Sequence, residues 1–182
     1  MSKIGRKAID IGNVKVEIKG NEVHYSGPKS SGVYVVPSTL TAHLENGTLS
    51  LGLNTSQKLP RDINRPWGLH RALLSNVIKG ADVGFEKKIQ INGLGYKAVV
   101  SGNKVVFSLG YSHKIDYELP EGVTLEVDRS GQNLTVKSYD KQLAGLVCSK
   151  FREMRPPEPY KATGVKYLNE VIARKAGKTK AK

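Results

Sequence analysis

Val16-Glu17-Ile18-Lys19-Gly20-Asn21-Glu22-Val23-His24-Tyr25-Ser26 is echoed by Ala98-Val99-Val100-Ser101-Gly102-Asn103-Lys104-Val105-Val106-Phe107-Ser108, at an offset of 82 residues in a chain of 182. Each copy has an apolar-rich run on either side of Gly-Asn, a dipeptide that tolerates positive φ and suits a two-residue turn. Both stretches therefore predict β-hairpins. The echo continues, with small changes of offset, at Val35-Val36-Pro37 against Glu118-Leu119-Pro120, and at Thr48-Leu49-Ser50-Leu51 against Asn133-Leu134-Thr135-Val136. A period of nearly half the chain is the mark of an internal duplication.

Each half closes on a helical pattern. Leu69, Ala72, Leu73 and Val77 in the first half, and Leu143, Leu146, Val147 and Phe151 in the second, have the spacing of one buried face. Pro66 and Gly80 bracket the first helix, and Asp140 and Pro156 the second. The expected fold is α+β: two tandem similar domains, each of small antiparallel sheets packed around one helix. The boundaries fall at 1–82 for the first domain with its basic N-terminus, 83–155 for the second, and 156–182 for a basic C-terminal extension without a counterpart in the first half.

Net charge is +13, with 38% hydrophobic and 7% aromatic residues. Such an excess favours a polyanionic partner whose counterions are released on binding, nucleic acid first and an anionic membrane surface second. Its distribution narrows the choice. Residues 1–7 carry Lys3, Arg6 and Lys7 and no acid, and residues 150–182 carry ten basic groups against Glu153, Glu158 and Glu170. Both ends are basic around a nearly balanced body. No apolar run approaches the ~20 residues of a bilayer span, and Met1 to Lys7 lack the apolar stretch of a signal peptide, so no membrane partner and a cytoplasmic location are expected.

Catalytic and metal chemistry find little support. The lone Cys148 rules out an internal disulfide and a multi-cysteine metal site, and lies among helix-face positions where a thiol acts as a small hydrophobe. His24, His43, His70 and His113 are far apart, with no ligand spacing. Gly93-Leu94-Gly95-Tyr96-Lys97-Ala98 satisfies a loose dinucleotide fingerprint, but a strand follows it rather than the helix that would cap a pyrophosphate. Neither catalytic residues nor a metal or cofactor are expected. Trp67, at a helix entrance, is read as core in preference to a base-stacking ring.

The C-terminal segment concentrates RNA-binding chemistry. Arg152 and Arg155 lead into Pro156-Pro157-Glu158-Pro159, whose prolines stiffen the chain. Tyr160, Lys161, Lys166 and Tyr167 then place a ring beside a cation twice, a pairing that stacks on bases and neutralises phosphates. The same prolines satisfy PxxP, the pattern of a peptide ligand. A short helix is expected from Tyr167 to Ala176, and Arg174, Lys175, Lys178, Lys180 and Lys182 end the chain as a solvated polycation.

Arg155-Pro156-Pro157-Glu158-Pro159-Tyr160-Lys161-Ala162-Thr163-Gly164-Val165-Lys166-Tyr167 resembles the signature of the bacterial L-six family of large-subunit ribosomal proteins, as do Ser2-Lys3-Ile4-Gly5-Arg6-Lys7 and Gly93 to Ala98. The family form carries Gly and Lys where this chain has Ala162 and Thr163, so one cation is missing. The resemblance implies a tandem duplication. It also implies a structural, non-enzymatic protein bound to large-subunit ribosomal RNA, near the stalk base and the sarcin-ricin loop. Neighbouring ribosomal proteins and translation factors would then lie close by, with no DNA partner. On that reading the contacts come from Arg152, Arg155, Tyr160, Lys161, Lys166, Tyr167, Arg174, Lys175, Lys178, Lys180 and Lys182, with Lys3, Arg6 and Lys7 secondary. An RNA-processing enzyme with a basic anchoring tail is the alternative.

Overall fold

A computed structural model of the chain describes residues 2–45, 47–54 and 62–177. The expected Lys178, Lys180 and Lys182 contacts lie outside the described residues. The fold is α+β, in two compact units, Met1–Gly84 and Phe85–Lys182. Among the described residues of the first unit six strands precede one helix: β1 (Ile9–Asp10), β2 (Lys15–Lys19), β3 (Glu22–Ser26), β4 (Ser31–Val35), β5 (Leu40–Glu45), β6 (Thr48–Leu53) and α1 (Asn64–Asp82). The second repeats that order with β7 (Phe85–Asn92), β8 (Lys97–Ser101), β9 (Lys104–Ser108), β10 (Ile115–Glu118), β11 (Val123–Val127), β12 (Asn133–Ser138) and α2 (Lys141–Met154), then adds β13 (Gly164–Tyr167).

All strand pairs are antiparallel. The sheets are β2-β3-β4 and β1-β6-β5 in the first unit, and β10-β9-β8 and β11-β12-β7-β13 in the second. The two Gly-Asn turns sit at matching places, closed by the pairs Lys19↔Glu22 and Ser101↔Lys104. Gly20 (φ +62°) and Gly102 (φ +60°) supply the positive φ that such a turn asks of its first central residue.

Each unit has its own core. The first gathers Val23, Leu40, Leu49, Trp67, Leu74 and Ile78, and the second Ile89, Ile91, Phe107, Val136, Phe151 and Val165. Trp67 is core, and its indole Nε1 donates to the Leu51 carbonyl at 2.8 Å, which satisfies the one polar atom its burial would strand.

The first helix is rotated from the expected face. Its buried residues include Trp67, Leu74, Ile78 and Ala81, whereas Leu69 and Leu73 are exposed. Adjacent apolar pairs, Leu73-Leu74 and Val77-Ile78, make two stripes of equal spacing, so periodicity fixes a helix there but not its phase. Nor does Gly80 end it. The helix runs to Asp82, and the stop is Gly84, at φ +79°, whose N–H joins that of Val83 on the Lys79 carbonyl. In α2 the face is nearer the expectation: Val147 and Phe151 are buried with Ala144 and Cys148, while Leu146 is exposed. Asp140 caps it, accepting the Gln142 N–H at 2.8 Å. Burial pushes the Cys148 thiol up to about 11, which keeps it protonated.

The region after residue 155 departs most from expectation. No helix forms from Tyr167 to Ala176; residues 164–167 are β13, pairing with β7 from Gly164↔Asn92 to Tyr167↔Ile89. A boundary at residue 156 therefore cuts through the second unit's sheet. Val165 is fully buried in that unit's core, with Tyr167 packed against it. Alternation of Val165 and Tyr167 with Lys166 is a strand pattern, and β7 offers an open edge for it.

Candidate nucleic-acid interface

α2 ends because Arg155 precedes Pro156 and is held extended, at φ −151° and ψ 95°. The chain then turns back on itself. Ala162 N–H donates to the Glu158 carbonyl at 3.0 Å, Glu158 N–H to the Thr163 carbonyl at 2.9 Å, and Val165 N–H to the Arg155 carbonyl at 2.8 Å. This closed loop displays Tyr160 and Lys161, both exposed. After β13, Tyr167 N–H donates to the Glu170 carboxylate, and further along Lys175 N–H donates to the Pro159 carbonyl at 3.0 Å. That last bond brings Lys175 back to the loop carrying Tyr160 and Lys161. Lys166 and Arg174 line one shallow groove with Ala162 and Ile172. Backbone bonds and one groove thus bring residues spread over sixteen positions near one another.

Three of the expected contacts are engaged inside the unit. Arg152 grips Glu170 with both arms, Nε to Oε2 at 3.1 Å and Nη2 to Oε1 at 2.6 Å. The Arg152 hydrogen bonds hold the Glu170 carboxyl below the usual carboxylate range. Arg155 donates from Nη1 to the Leu109 carbonyl at 3.0 Å. Tyr167 also faces inward, with Lys87 Nζ 5.6 Å from its ring centroid. Lys161, Arg174 and Lys175 carry no ion pair among the described residues, and Lys166 lies close enough to Glu170 to lower its pKa.

In the first unit, Lys3, Arg6 and Lys7 are exposed on a folded turn, not a loose arm. Gly5 N–H donates to Ser2 Oγ at 3.1 Å, and Gly5 lies under Trp67. Arg71 clasps the segment from α1, donating to the Lys7 and Ala8 carbonyls at 2.9 Å each. Sequence reasoning passed over Arg71 because its partners are backbone carbonyls more than sixty residues away, which leave no local pattern.

The profile of one protein family, Ribosomal protein L6, matches residues 92–168. The chain is also 42% identical to the large ribosomal subunit protein uL6 of Helicobacter hepaticus, 43% to that of Methylacidiphilum infernorum and 42% to that of Syntrophomonas wolfei, in each case over 100% of both chains. The chain belongs to the ribosomal protein L6 family. The family is structural rather than enzymatic. The matched L6 stretch runs from the end of β7 to just past β13, so it takes in α2, Arg152, the closed loop and Lys166, and stops short of Arg174 and Lys175.

Two of the places where the chain departs from the usual L6 signature, Ala162 and Thr163, have a local reading; Val165 and Lys166, where the usual form has Ile and Arg, keep an apolar and a cationic side chain. Ala162 has φ +57°, the only positive φ on a non-glycine residue among those described. Left-handed backbone costs an L-residue about 1–2 kcal/mol. A buried methyl returns about 0.8 kcal/mol, and alanine's smaller unfolded-state entropy about 0.4–1 kcal/mol. Ala162→Gly is therefore expected to change stability by no more than about 0.8 kcal/mol in either direction, so the family's glycine and this alanine interchange at little cost. Urea denaturation checks this, and a shift above about 1 kcal/mol either way would mean that backbone strain and methyl burial at Ala162 do not offset each other. Thr163 Oγ1 donates to a Glu158 carboxylate oxygen at 3.0 Å, so the hydroxyl tightens the loop where the family's lysine would add charge.

Among the described residues no cluster of His, Cys, Asp and Glu could hold a metal ion, and no helix is long and apolar enough to cross a membrane. The histidines each serve local contacts, His70 Nδ1 with Tyr34 Oη at 2.8 Å and His24 beside Glu22 at 3.3 Å.

Proposed function

We propose that this chain is a structural constituent of the large ribosomal subunit in the cytoplasm and binds large-subunit ribosomal RNA through the face that carries Tyr160, Lys161, Lys166, Arg174 and Lys175. Lys3, Arg6 and Lys7 form a second, smaller contact. The observation that carries the reading is the Lys175 to Pro159 bond, which closes the cationic segment over the loop and turns scattered charges into one surface. Phosphate contacts from such a face give affinity and register, and RNA shape gives specificity. Tyr160, 53% exposed, is the ring available for stacking.

Full-length relatives called large ribosomal subunit proteins support the assembly, and the family signature supports a position near the stalk base and the sarcin-ricin loop, with neighbouring ribosomal proteins and translation factors close by. The test is sedimentation. In a gradient of the source cell's extract the protein should migrate with the large subunit at fixed stoichiometry through a moderate salt wash. Recovery only in the free-protein fractions would overturn the proposal.

A further inference from the structure

Three distant stretches of the second unit meet at Arg155. Its guanidinium carbon lies 4.8 Å from the ring centroid of Tyr111 and 5.4 Å from that of Tyr96, while Nη1 donates to the Leu109 carbonyl. Both rings are themselves fixed. Tyr111 Oη donates to the Met154 carbonyl at 3.0 Å, next to Arg155 in the chain. Tyr96 is pressed against two glycines: a Cβ on Gly93 would come within 2.5 Å of the ring, and one on Gly110 within 2.7 Å. The Gly93-Leu94-Gly95-Tyr96 stretch, a false dinucleotide fingerprint, therefore has a mechanical use. It lays a tyrosine ring where α2 gives way to the cationic loop.

The other side of Arg155 holds the loop. Its carbonyl accepts the Val165 N–H at the start of β13. Gly164, at φ +134°, passes so close that a Cβ would lie 2.9 Å from the Arg155 carbonyl oxygen and 2.7 Å from that of Pro156.

We infer that Arg155 is a positioning residue for RNA binding and not a phosphate ligand: clamped against Tyr96 and Tyr111, it sets the direction in which the loop presents Tyr160 and Lys161. What is positioned rests on the RNA-binding reading above; the clamp does not. Only a guanidinium suits the place, because a planar cation stacks on rings and donates in its own plane to Leu109, whereas an ammonium is a point charge without a face.

The test uses the full chain with Arg155→Ala, Arg155→Lys and Tyr111→Leu, read by amide hydrogen exchange and by affinity for a large-subunit ribosomal RNA fragment across a salt series. Exchange at the Val165 and Ala162 amides should accelerate in all three, with the Val147 and Phe151 amides of α2 unchanged. Affinity should fall roughly tenfold with an unaltered salt slope, as much for Tyr111→Leu, which removes no charge, as for Arg155→Ala. A slope shallower by nearly one unit in Arg155→Ala, with Tyr111→Leu like wild type, would make Arg155 a phosphate ligand and overturn the inference. So would full retention of both properties in Arg155→Lys. If the wild-type chain does not bind the RNA, the functional reading fails by itself, and unchanged Val165 exchange in the variants would still refute the clamp.

Discussion

Phe151→Ala is expected to unfold the second unit under conditions in which the first stays folded. The Phe151 side chain is fully buried at the centre of the second core, with ring centroids 4.9 Å from Phe107 and 5.2 Å from Tyr117, the latter edge-on. Truncation removes the transfer energy of the ring and leaves a cavity, together about 3–5 kcal/mol. A unit of this size is stable by about 5–15 kcal/mol in all, so a large share of the margin goes. Among the described residues the two cores have none in common, which is why the loss should stay in one unit. The chain's one tryptophan, Trp67, reports the first unit by its fluorescence, while far-ultraviolet circular dichroism reports both. Urea titration should show the dichroism transition splitting while the Trp67 midpoint holds. A Trp67 midpoint that falls in step with the dichroism would mean that the units unfold as one, and the prediction would be lost.

How far the sequence could be read depended on the range of the interactions. The hairpins were legible because a two-residue turn is a local event: Gly20-Asn21 and Gly102-Asn103 need only the positive φ of Gly20 and Gly102 and flanking apolar runs. Trp67 was legible as core from its place at a helix entrance. The phase of α1 was not, since Leu73-Leu74 and Val77-Ile78 offer two stripes and only the packed sheet selects Leu74 and Ile78. β13 was hidden for another reason. Four residues carry too short an alternation to announce a strand, and the partner that makes them one, β7, lies more than seventy residues earlier. Residue type alone also misleads about cations. Arg152 and Arg155 sit in the same basic run as Lys161 and look alike in sequence, yet each guanidinium finds acceptors or rings inside the unit and turns inward.

That distinction decides how the interface has to be probed. Cutting the chain after Pro159 would remove the cations, but it would also strip Val165 from the core and β13 from the edge of β7, so lost binding would report lost structure. Replacing Lys161, Lys166, Arg174 and Lys175 together by glutamine leaves the backbone bonds and Val165 in place. Each phosphate contact contributes about 0.7–0.9 to the slope of log K against log salt, so four contacts should flatten it by roughly three units. Counting from 1 M salt, where the ionic part has faded, down to 0.15 M, a slope of three corresponds to roughly 300-fold in affinity. The control is Arg152→Gln with Glu170→Gln, which removes a cation with the acid that neutralises it and should leave the slope untouched. Filter binding or fluorescence anisotropy on a large-subunit ribosomal RNA fragment gives both slopes. A quadruple variant that binds with the wild-type slope, while its urea midpoint shows it folded, would mean that this face does not touch phosphate, and the search would move to Lys3, Arg6 and Lys7 on the first unit.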